Sequence, residues 1–275
     1  MLDIHTHLIP TSAASGYSRT VTPSEMVAAM DACEIAQAVV LPLESPECDT
    51  EYALTAYVFE ACDQFPERLI PFVDVDPRAQ RGLDKIRHYR GRGAKGFGEH
   101  KCGLAMDDPR SMAFYRLCGE LELPVLFHMD PDLNSDEAGL PRLKRALQEC
   151  PETIFIAHGP AWWTAISADD PRDGGYPKGP IKPVGAADRL LSEHANLYAD
   201  ISAGSGHNAL TRDPEFTEGF LTRHWRKLLF GTDFFHVGQQ VPQVAWLRTY
   251  PMPEEWREAI ASGNARRLLD LPQVQ

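Results

Sequence analysis

Short apolar runs alternate with amphipathic segments along the chain, and this alternation predicts strands separated by helices. Runs such as QAVVL, PVLFH and TIFIAH are rich in β-branched and aromatic residues, as buried strands are. The segment TPSE is typical of a helix start, because Thr22 can cap the helix, Pro23 fits its first position and Glu25 completes a capping box. Strands that alternate with helices indicate a parallel sheet.

The pattern divides the chain into eight strand-and-helix units. The predicted strands are residues 2–5, Gln37–Leu41, Leu69–Val75, Ala94–Glu99, Pro124–His128, Thr153–His158, Asn196–Ser202 and Lys227–Asp233. The predicted helices run from Thr22 to near Cys33 and over Asp49–Phe65, Gly82–Tyr89, Asp108–Glu122, Leu140–Cys150, Ala186–His194, Pro214–Leu221 and Pro253–Leu271. Gly159–Pro183 is predicted to be a long loop. Eight units in 275 residues predict an α/β fold with one domain over residues 1–275, a single (β/α)8 TIM barrel.

Composition excludes several classes of protein. Hydrophobic residues make up 43% and charged residues 24% of the chain, which is typical of a soluble globular protein. No apolar run approaches the ~18 residues of a membrane helix, so no membrane association is expected. Six cysteines without a C-x-x-C pair, and no leader pattern at the N-terminus, predict reduced thiols in a cytoplasmic protein. The net charge of −12 disfavours nucleic acid as a partner.

The first predicted strand carries two histidines two residues apart. Side chains alternate between the faces of a strand, so His5 and His7 are expected on one face together with Asp3, and Leu2 and Ile4 on the other. Two neutral imidazoles on one face can bind the same metal ion.

Polar side chains also stand at the ends of the later strands. They are Asp74 or Asp76, Glu99, His128, His158, Asp200 or Ser202, and Asp233. In a parallel barrel these ends meet at one mouth, where active sites lie. Each residue alone has a structural explanation: Asp233 could cap a segment, His128 could be a core histidine and Glu99 could be a solvated loop residue. Together they predict a metal site, because buried carboxylates and imidazoles are costly unless paired or metal-bound.

The same residues resemble a known family. D-x-H-x-H on the first strand, the words PVLFH, IFIAHGP and LLFGTDF, and SGNARRLL near the end are similar to the type 2 branch of the amidohydrolase superfamily. The resemblance implies a zinc-dependent barrel that hydrolyses C–N, C–O or C–C bonds, or decarboxylates aromatic and dienoic acids. It also implies that His5, His7 and Asp233 hold the first metal and that His128 is a ligand. His158 is then either a second-metal ligand or a proton carrier.

Glu99 adds a second resemblance. The stretch GFGEHKCGL is similar to the G-E-x-x-L segment of TatD-type nucleases, in which the Glu bridges two metals. Lys95, the alternative bridging residue in a carbamylated form, lies about 13 Å lower on the same strand face. We therefore predict Glu99 as a ligand, with one or two ions. Zinc is expected first, and manganese or iron stays open.

Further residues are candidates for catalysis and substrate binding. Asp233 or His158 is expected to take the proton of a metal-activated water and pass it to the leaving group. Trp162 and Trp163 are either an aromatic wall for a flat substrate or a packed loop core. Lys101 and Arg212 are candidates for binding a substrate anion, and for Arg212 a capping or salt-bridge role is equally compatible.

The leading function from sequence is a metal-dependent hydrolase of a small amide, lactone or ester. The alternative is a non-oxidative decarboxylase of an aromatic or dienoic acid, and a TatD-like nuclease is a third hypothesis. A metal-stabilised binding protein is the hypothesis without enzymatic activity. The expected partner is a small-molecule substrate. The substrate and the oligomeric state, including a homo-oligomer, stay open.

Overall fold

The computed structural model of the chain describes residues 1–10, 20–48, 52–172 and 175–272. Within these residues the strands are β1 (Leu2–Thr6), β2 (Gln37–Val40), β3 (Leu69–Pro71), β4 (Phe97–His100), β5 (Val125–His128), β6 (Phe155–His158), β7 (Leu197–Asp200) and β8 (Leu228–Leu229). The α-helices are α1 (Pro23–Ala32), α2 (Thr55–Gln64), α3 (Gly82–Gly91), α4 (Pro109–Glu120), α5 (Pro141–Glu149), α6 (Pro160–Thr164), α7 (Ala186–Glu193), α8 (Ala203–Thr211), α9 (Pro214–His224), α10 (Pro242–Thr249), α11 (Glu254–Glu258) and α12 (Asn264–Leu268). None of the helices in these ranges is long and apolar enough to cross a membrane.

The strands close into the predicted barrel. β1–β3 and β4–β8 form two runs of parallel paired strands. Val73, just after β3, pairs in parallel with Phe97 of β4, and Thr6 of β1 pairs with Phe234, just after β8. These two contacts join the runs at both edges, so the carboxyl ends of all eight strands face one mouth.

Apolar side chains fill the barrel on both sides of its wall. An inner group fills the space enclosed by the strands and includes Leu2, Ile4, Val39, Ile70 and Leu126. A larger outer group packs the strands against the surrounding helices. The strands are therefore buried on both faces, which explains why they read as continuous apolar runs in the sequence.

A bulge in β1 breaks the expected alternation of side chains. The pairing register between β1 and β2 shifts between Asp3 and Thr6. Leu2 and Ile4 point into the barrel, whereas Asp3 and Thr6 line a space on the helix side. The prediction that Asp3 shares a face with His5 is therefore wrong, because the shifted register places His5 on the inner side directly after Ile4.

The capping box at α1 is confirmed, since Thr22 Oγ1 accepts from Glu25 N and Thr22 N donates to the Glu25 carboxylate. The predicted helix over Asp49–Phe65 begins only at Thr55, because Ala53 pairs instead with Leu43. Its first three positions, Asp49–Glu51, lie outside the described residues.

Other differences lie after the sixth strand. The predicted loop over Gly159–Pro183 contains the short helix α6, which starts at Pro160, a favourable first helical residue. Helices α8 and α10 are additional to the prediction. All six cysteines are free thiols, as predicted.

Candidate metal centre

The mouth of the barrel brings together six side chains that could bind metal. They are His5 of β1, His7 just beyond it, Glu99 of β4, His128 at the end of β5, His158 at the end of β6 and Asp233 after β8. All six are the residues that the sequence predicts as ligands. The side chains of His5, His7, Glu99 and His158 are at most 4% exposed. Such burial of charged and polar groups requires partners.

One group of donor atoms surrounds a common point. Nε2 of His5 lies 3.0 Å from Nε2 of His7, and Oδ1 of Asp233 lies 3.5 Å from each of them. Oε2 of Glu99 is 3.7 Å from His5 Nε2 and 3.3 Å from His7 Nε2. Four ligands arranged tetrahedrally at about 2.1 Å from an ion are about 3.4 Å apart. The observed distances are close to this spacing. His5, His7 and Glu99 therefore form one group that could hold a divalent cation, and Asp233 lies near both of its imidazoles.

The other oxygen of Glu99 faces a second group. Its Oε1 lies 3.0 Å from Nδ1 of His128 and 3.8 Å from Nε2 of His158. Each oxygen of this one carboxylate thus belongs to a different set of potential ligands. This placement fits a carboxylate that bridges two cations, as the resemblance of the β4 segment implies.

Outer partners fix the orientation of two imidazoles. Nδ1 of His7 lies 3.1 Å from the carbonyl oxygen of Leu41, to which it donates. Nε2 of His128 lies 3.0 Å from Oδ2 of Asp130. When the outer nitrogen carries the proton, the inner nitrogen offers a lone pair to the cluster, which is what a metal ligand needs.

Asp200 performs the same task for two histidines at once. Its Oδ2 lies 2.7 Å from Nδ1 of His5, and its Oδ1 lies 3.0 Å from Nδ1 of His158. The Ser202 hydroxyl donates to Oδ1 of Asp200 at 2.6 Å. The sequence places Asp200 or Ser202 at the end of the seventh strand but assigns neither a role. Asp130 is a further residue that the sequence analysis misses, although it stands two residues after His128.

The electrostatics of the centre are dominated by its carboxylates. Burial alone lowers the pKa of His5 and of His7, but neighbouring carboxylates outweigh it. Asp200 and Asp233 hold the pKa of His5 well above its usual value, and hydrogen bonds to Asp233 and Glu99 raise the pKa of His7 to about 9. Burial likewise opposes ionisation of Glu99, yet the imidazoles hold its pKa well below the usual range. The site is therefore organised to attract cations.

Asp233 is placed by its backbone. It adopts a positive φ of 56°, its N–H donates to the carbonyl of His5 at 2.9 Å, and its carbonyl accepts from Nε2 of Gln239 at 2.7 Å. The preceding Thr232 is held by Asp3, which accepts from both its N–H and its hydroxyl. Asp3 thus supports the centre from behind the barrel wall, on the helix side.

A cavity of about 60 Å³ opens over the cluster. Lys101 lines it together with the ligand candidates, and Ile9, Leu43 and Phe235 form its apolar side. Lys101 therefore stays a candidate for binding a substrate anion at this cavity.

The other substrate-binding candidates lie elsewhere. Trp162 and Trp163 are buried in the core and do not line this cavity, and Nε1 of Trp163 donates to the carbonyl of Asp200 at 3.2 Å. This position matches packing rather than an aromatic wall. Arg212 follows α8 outside the cavity lining, and burial lowers its pKa. Asp74 and Asp76 do not join the cluster: Asp74 accepts from Glu44 N, and Asp76 binds Arg78.

A family comparison identifies this arrangement. The model of the amidohydrolase family matches residues 2–271. The chain belongs to this family. It is therefore an enzyme of the amidohydrolase superfamily, as the sequence resemblance implies. No curated protein matches the chain.

Solved structures of low sequence identity share the fold. An uncharacterised TIM-barrel protein from Bordetella bronchiseptica is 16% identical, with a TM-score of 0.72 and 98% of each chain covered. A probable 2-pyrone-4,6-dicarboxylic acid hydrolase from Acinetobacter baumannii, with citric acid bound, is 16% identical, with a TM-score of 0.64 and coverage of 98% of this chain and 99% of the other. A dihydroxybenzoic acid decarboxylase from Polaromonas, with bound manganese and 2-nitroresorcinol, is 15% identical, with a TM-score of 0.64 and coverage of 99% and 97%.

These comparisons support a metal-dependent enzyme without identifying its metal or its reaction. A divalent metal is supported by the family and by the His and Glu groups at the mouth. Zinc itself stays a prediction, since the Polaromonas structure contains manganese. Decarboxylases and a hydrolase are both found among the solved structures that share the fold.

Proposed function

We propose that the chain is a metal-dependent enzyme whose reaction is the non-oxidative decarboxylation of a small aromatic or dienoic acid. The observation that carries this proposal is the position of Lys101, which lines the same small cavity as the metal-ligand candidates. The cavity of about 60 Å³ has room for the carboxylate group of such an acid, which would lie near Lys101 and near Ile9, Leu43 and Phe235, while the rest of the substrate would extend out of the cavity. The similar decarboxylase structures support the same class of reaction.

The proposed ligand sets follow the two oxygens of Glu99. His5, His7, Asp233 and Glu99 would hold one divalent cation, and Glu99, His128 and His158 would hold a second. When bound, such a cation polarises a substrate oxygen and lowers the pKa of water. Zinc, manganese and iron all suit a set of imidazoles and carboxylates better than calcium does.

The chain's own residues supply positioning and a proton. Loss of CO₂ breaks a C–C bond and leaves an electron pair on carbon, which must take up a proton. Asp233 lines the cavity and can deliver that proton to the substrate carbon from the carboxylate oxygen that holds no cation. His158 also lines the cavity and would be the alternative proton donor only in an enzyme with one cation, in which its ring is not a ligand. Asp200 and Ser202 hold the His158 ring in a fixed orientation for this transfer. The apolar side of the cavity favours conversion of a charged carboxylate into neutral CO₂.

Hydrolysis of a lactone, ester or amide is the second candidate. The observation that favours it is the division of the two Glu99 oxygens between two ligand groups, since paired cations are common in hydrolytic sites. In this reaction Asp233 or His158 would take a proton from water and return it to the leaving group.

One experiment separates the two reactions. Enzyme loaded with Mn²⁺ or Zn²⁺ is assayed against hydroxybenzoic acids, dienoic acids, pyrone carboxylates, lactones and amides, in water enriched in ¹⁸O. Decarboxylation releases CO₂ and leaves no ¹⁸O in the organic product, whereas hydrolysis places ¹⁸O in the product acid.

Two further results test the decarboxylase proposal. The variant Lys101→Met should raise KM for carboxylate substrates strongly while leaving bound metal unchanged. Lys95→Met, which changes a lysine just before β4 and outside the cavity lining, is the matched control. Failure of the metal-loaded enzyme to convert any acid in the panel would contradict the decarboxylase proposal.

A further inference from the structure

A second cavity, about 410 Å³ in volume, lies on the opposite side of the barrel wall from the metal centre. It opens between α1 and the segment Val237–Val241, which leads into α10. Met26, Met30, Ile35 and Phe234 form its deep walls and are each at most 8% exposed. The volume is in the usual range of ligand pockets, about 300–1,000 Å³.

Hydrogen bonds join the two helices at one edge of the cavity. Arg248, near the end of α10, donates to the carbonyl of Cys33 and to the carboxylate of Glu34, just after α1. These bonds join the ends of the two helices at the edge where Cys33 lines the cavity. We call this space the pit, and its volume suits a compact molecule.

Polar side chains lining the pit are already engaged with the protein. Asp3 accepts from His5 N and from both donors of Thr232, and the hydroxyl of Thr232 also accepts from Phe234 N. The Thr6 hydroxyl donates to Val39 O.

The two polar side chains nearer the rim are engaged as well. One carboxylate oxygen of the exposed Glu25 is bonded in the capping box of α1, and both ends of the Gln239 amide are bonded, to Phe235 N and to Asp233 O. Within the described lining, a polar ligand would therefore find few side chains free to bind it, and each of its groups left unpaired would cost about 1–3 kcal/mol.

We propose that this pit binds an uncharged, mainly apolar small molecule, such as an aromatic ring or a branched alkyl group, and that its occupancy changes metal affinity at the mouth. The lining of alanine, methionine and cysteine side chains is adaptable and favours contact with aromatic rings. An apolar cavity of only about 150 Å³ binds benzene in another protein, so there is room here for a larger ring system. The site is separate from the proposed reaction and does not depend on it.

The link to the metal centre is direct. Thr232 and Phe234 line the pit and flank Asp233, and Gln239 lines it while holding the Asp233 carbonyl. A ligand that packs against these three residues restricts the segment that carries Asp233. Metal affinity and ligand affinity must then change by the same factor, because coupling between two sites is reciprocal.

The test uses N-phenyl-1-naphthylamine, a neutral apolar fluorophore, with the full chain loaded with Mn²⁺. Saturable fluorescence with about one site per chain is expected. Ala29→Phe places a ring in the pit and should weaken probe binding at least about tenfold. The control Ala56→Phe adds the same ring to α2, outside the lining, and should bind the probe as wild type does.

A second variant and a second readout complete the test. Val237→Asp introduces a charge at a rim position that is 41% exposed, where folding tolerates it, and should also weaken binding. Saturating probe should change the Kd of Mn²⁺ about fivefold in wild type and not in Ala29→Phe. Equal probe binding in all four proteins, or none in wild type, would overturn the site, and an unchanged Kd for Mn²⁺ would overturn its link to the metal centre.

Discussion

Glu99 and His100, neighbours at the end of β4, belong to two different clusters of buried side chains, and each cluster contains histidine. Glu99 points to the mouth and joins His5, His7, His128 and His158 among carboxylates. His100, the next residue, is also fully buried, but it packs between the rings of Phe97 and Tyr115 and lies 3.7 Å from Sγ of Cys102. Asn134 completes this second cluster by accepting from Cys102.

The two clusters show that neighbours, rather than burial, decide the charge of a buried histidine. Burial lowers the pKa of His100 to about 4 and raises the pKa of the Cys102 thiol to about 12, because no strong charge opposes desolvation there. At the mouth, the carboxylates reverse the effect of the same burial and raise the pKa of His7 to about 9. A Cys, His and Asn within contact distance are thus inert in the core, whereas the mouth cluster attracts cations.

Glu99→Gln should break the mouth cluster most severely. The amide lacks the negative charge that holds two cations close together, so bound metal should fall from about two ions per chain toward one. Activity should fall steeply with it. Metal analysis beside turnover checks both effects.

Glu47→Gln is the control, because Glu47 pairs with Arg78 at the surface and should keep the wild-type metal count. Two ions retained in Glu99→Gln would rule out the bridging role of Glu99.

Asp200→Asn should have the next largest effect. The amide cannot accept equally from both His5 and His158, so the two rings lose their common anchor. Metal affinity should fall about 10–100-fold, as for other outer partners of metal ligands. Titration with Mn²⁺ measures it.

The matched control is Asp188→Asn, which removes a buried carboxylate that binds Arg223 and His224 away from the mouth. It should lower the melting temperature without changing Mn²⁺ affinity. Equal Mn²⁺ affinity in Asp200→Asn and wild type would contradict the anchoring role.

Metal affinity should rise with pH. The pKa values of His5 and His7 are raised in the metal-free protein, so a cation must displace protons from these rings. Between pH 6 and pH 9 the affinity should therefore increase by about tenfold per pH unit for each proton displaced. Titrations with Mn²⁺ in buffers that do not bind metal measure this slope, and an affinity independent of pH would show that the rings are already neutral.

His100→Phe should have the smallest effect and sharpens the comparison. A phenyl ring fills a similar volume and removes a buried neutral imidazole whose Nδ1 has no hydrogen-bond partner in the described structure. Stability should change by no more than about 1.5 kcal/mol, and the metal count should not change. His7→Phe, the same substitution at the mouth, should instead lose metal, so equal metal loss in both variants would refute the distinction between the clusters.

The sequence predicts the barrel because each strand is an apolar run that ends at a polar residue or a turn. It also predicts the six residues that meet at the mouth, because a parallel barrel brings strand ends together. Asp200 and Asp130 receive no role from sequence, since an outer partner is defined by which ring nitrogen it faces. The burial of Trp162 and Trp163 is likewise set by α6, which the loop-like composition of residues 159–183 conceals.

The bulge in β1 has a consequence for how substitutions are tolerated. The sequence LDIHTH alternates apolar and polar residues, as a strand with one solvent-exposed face does, although all six positions are buried. Leu2 and Ile4 should accept only side chains of similar volume, Asp3 and Thr6 only side chains that keep their hydrogen bonds, and His5 and His7 only side chains that keep a free donor atom for a cation. A saturation library over these positions should therefore show three different requirements, for volume, for hydrogen bonding and for a metal-binding atom, instead of a simple two-residue alternation. Deletion of one residue should move each side chain into a position with a different requirement and so abolish folding and metal binding together.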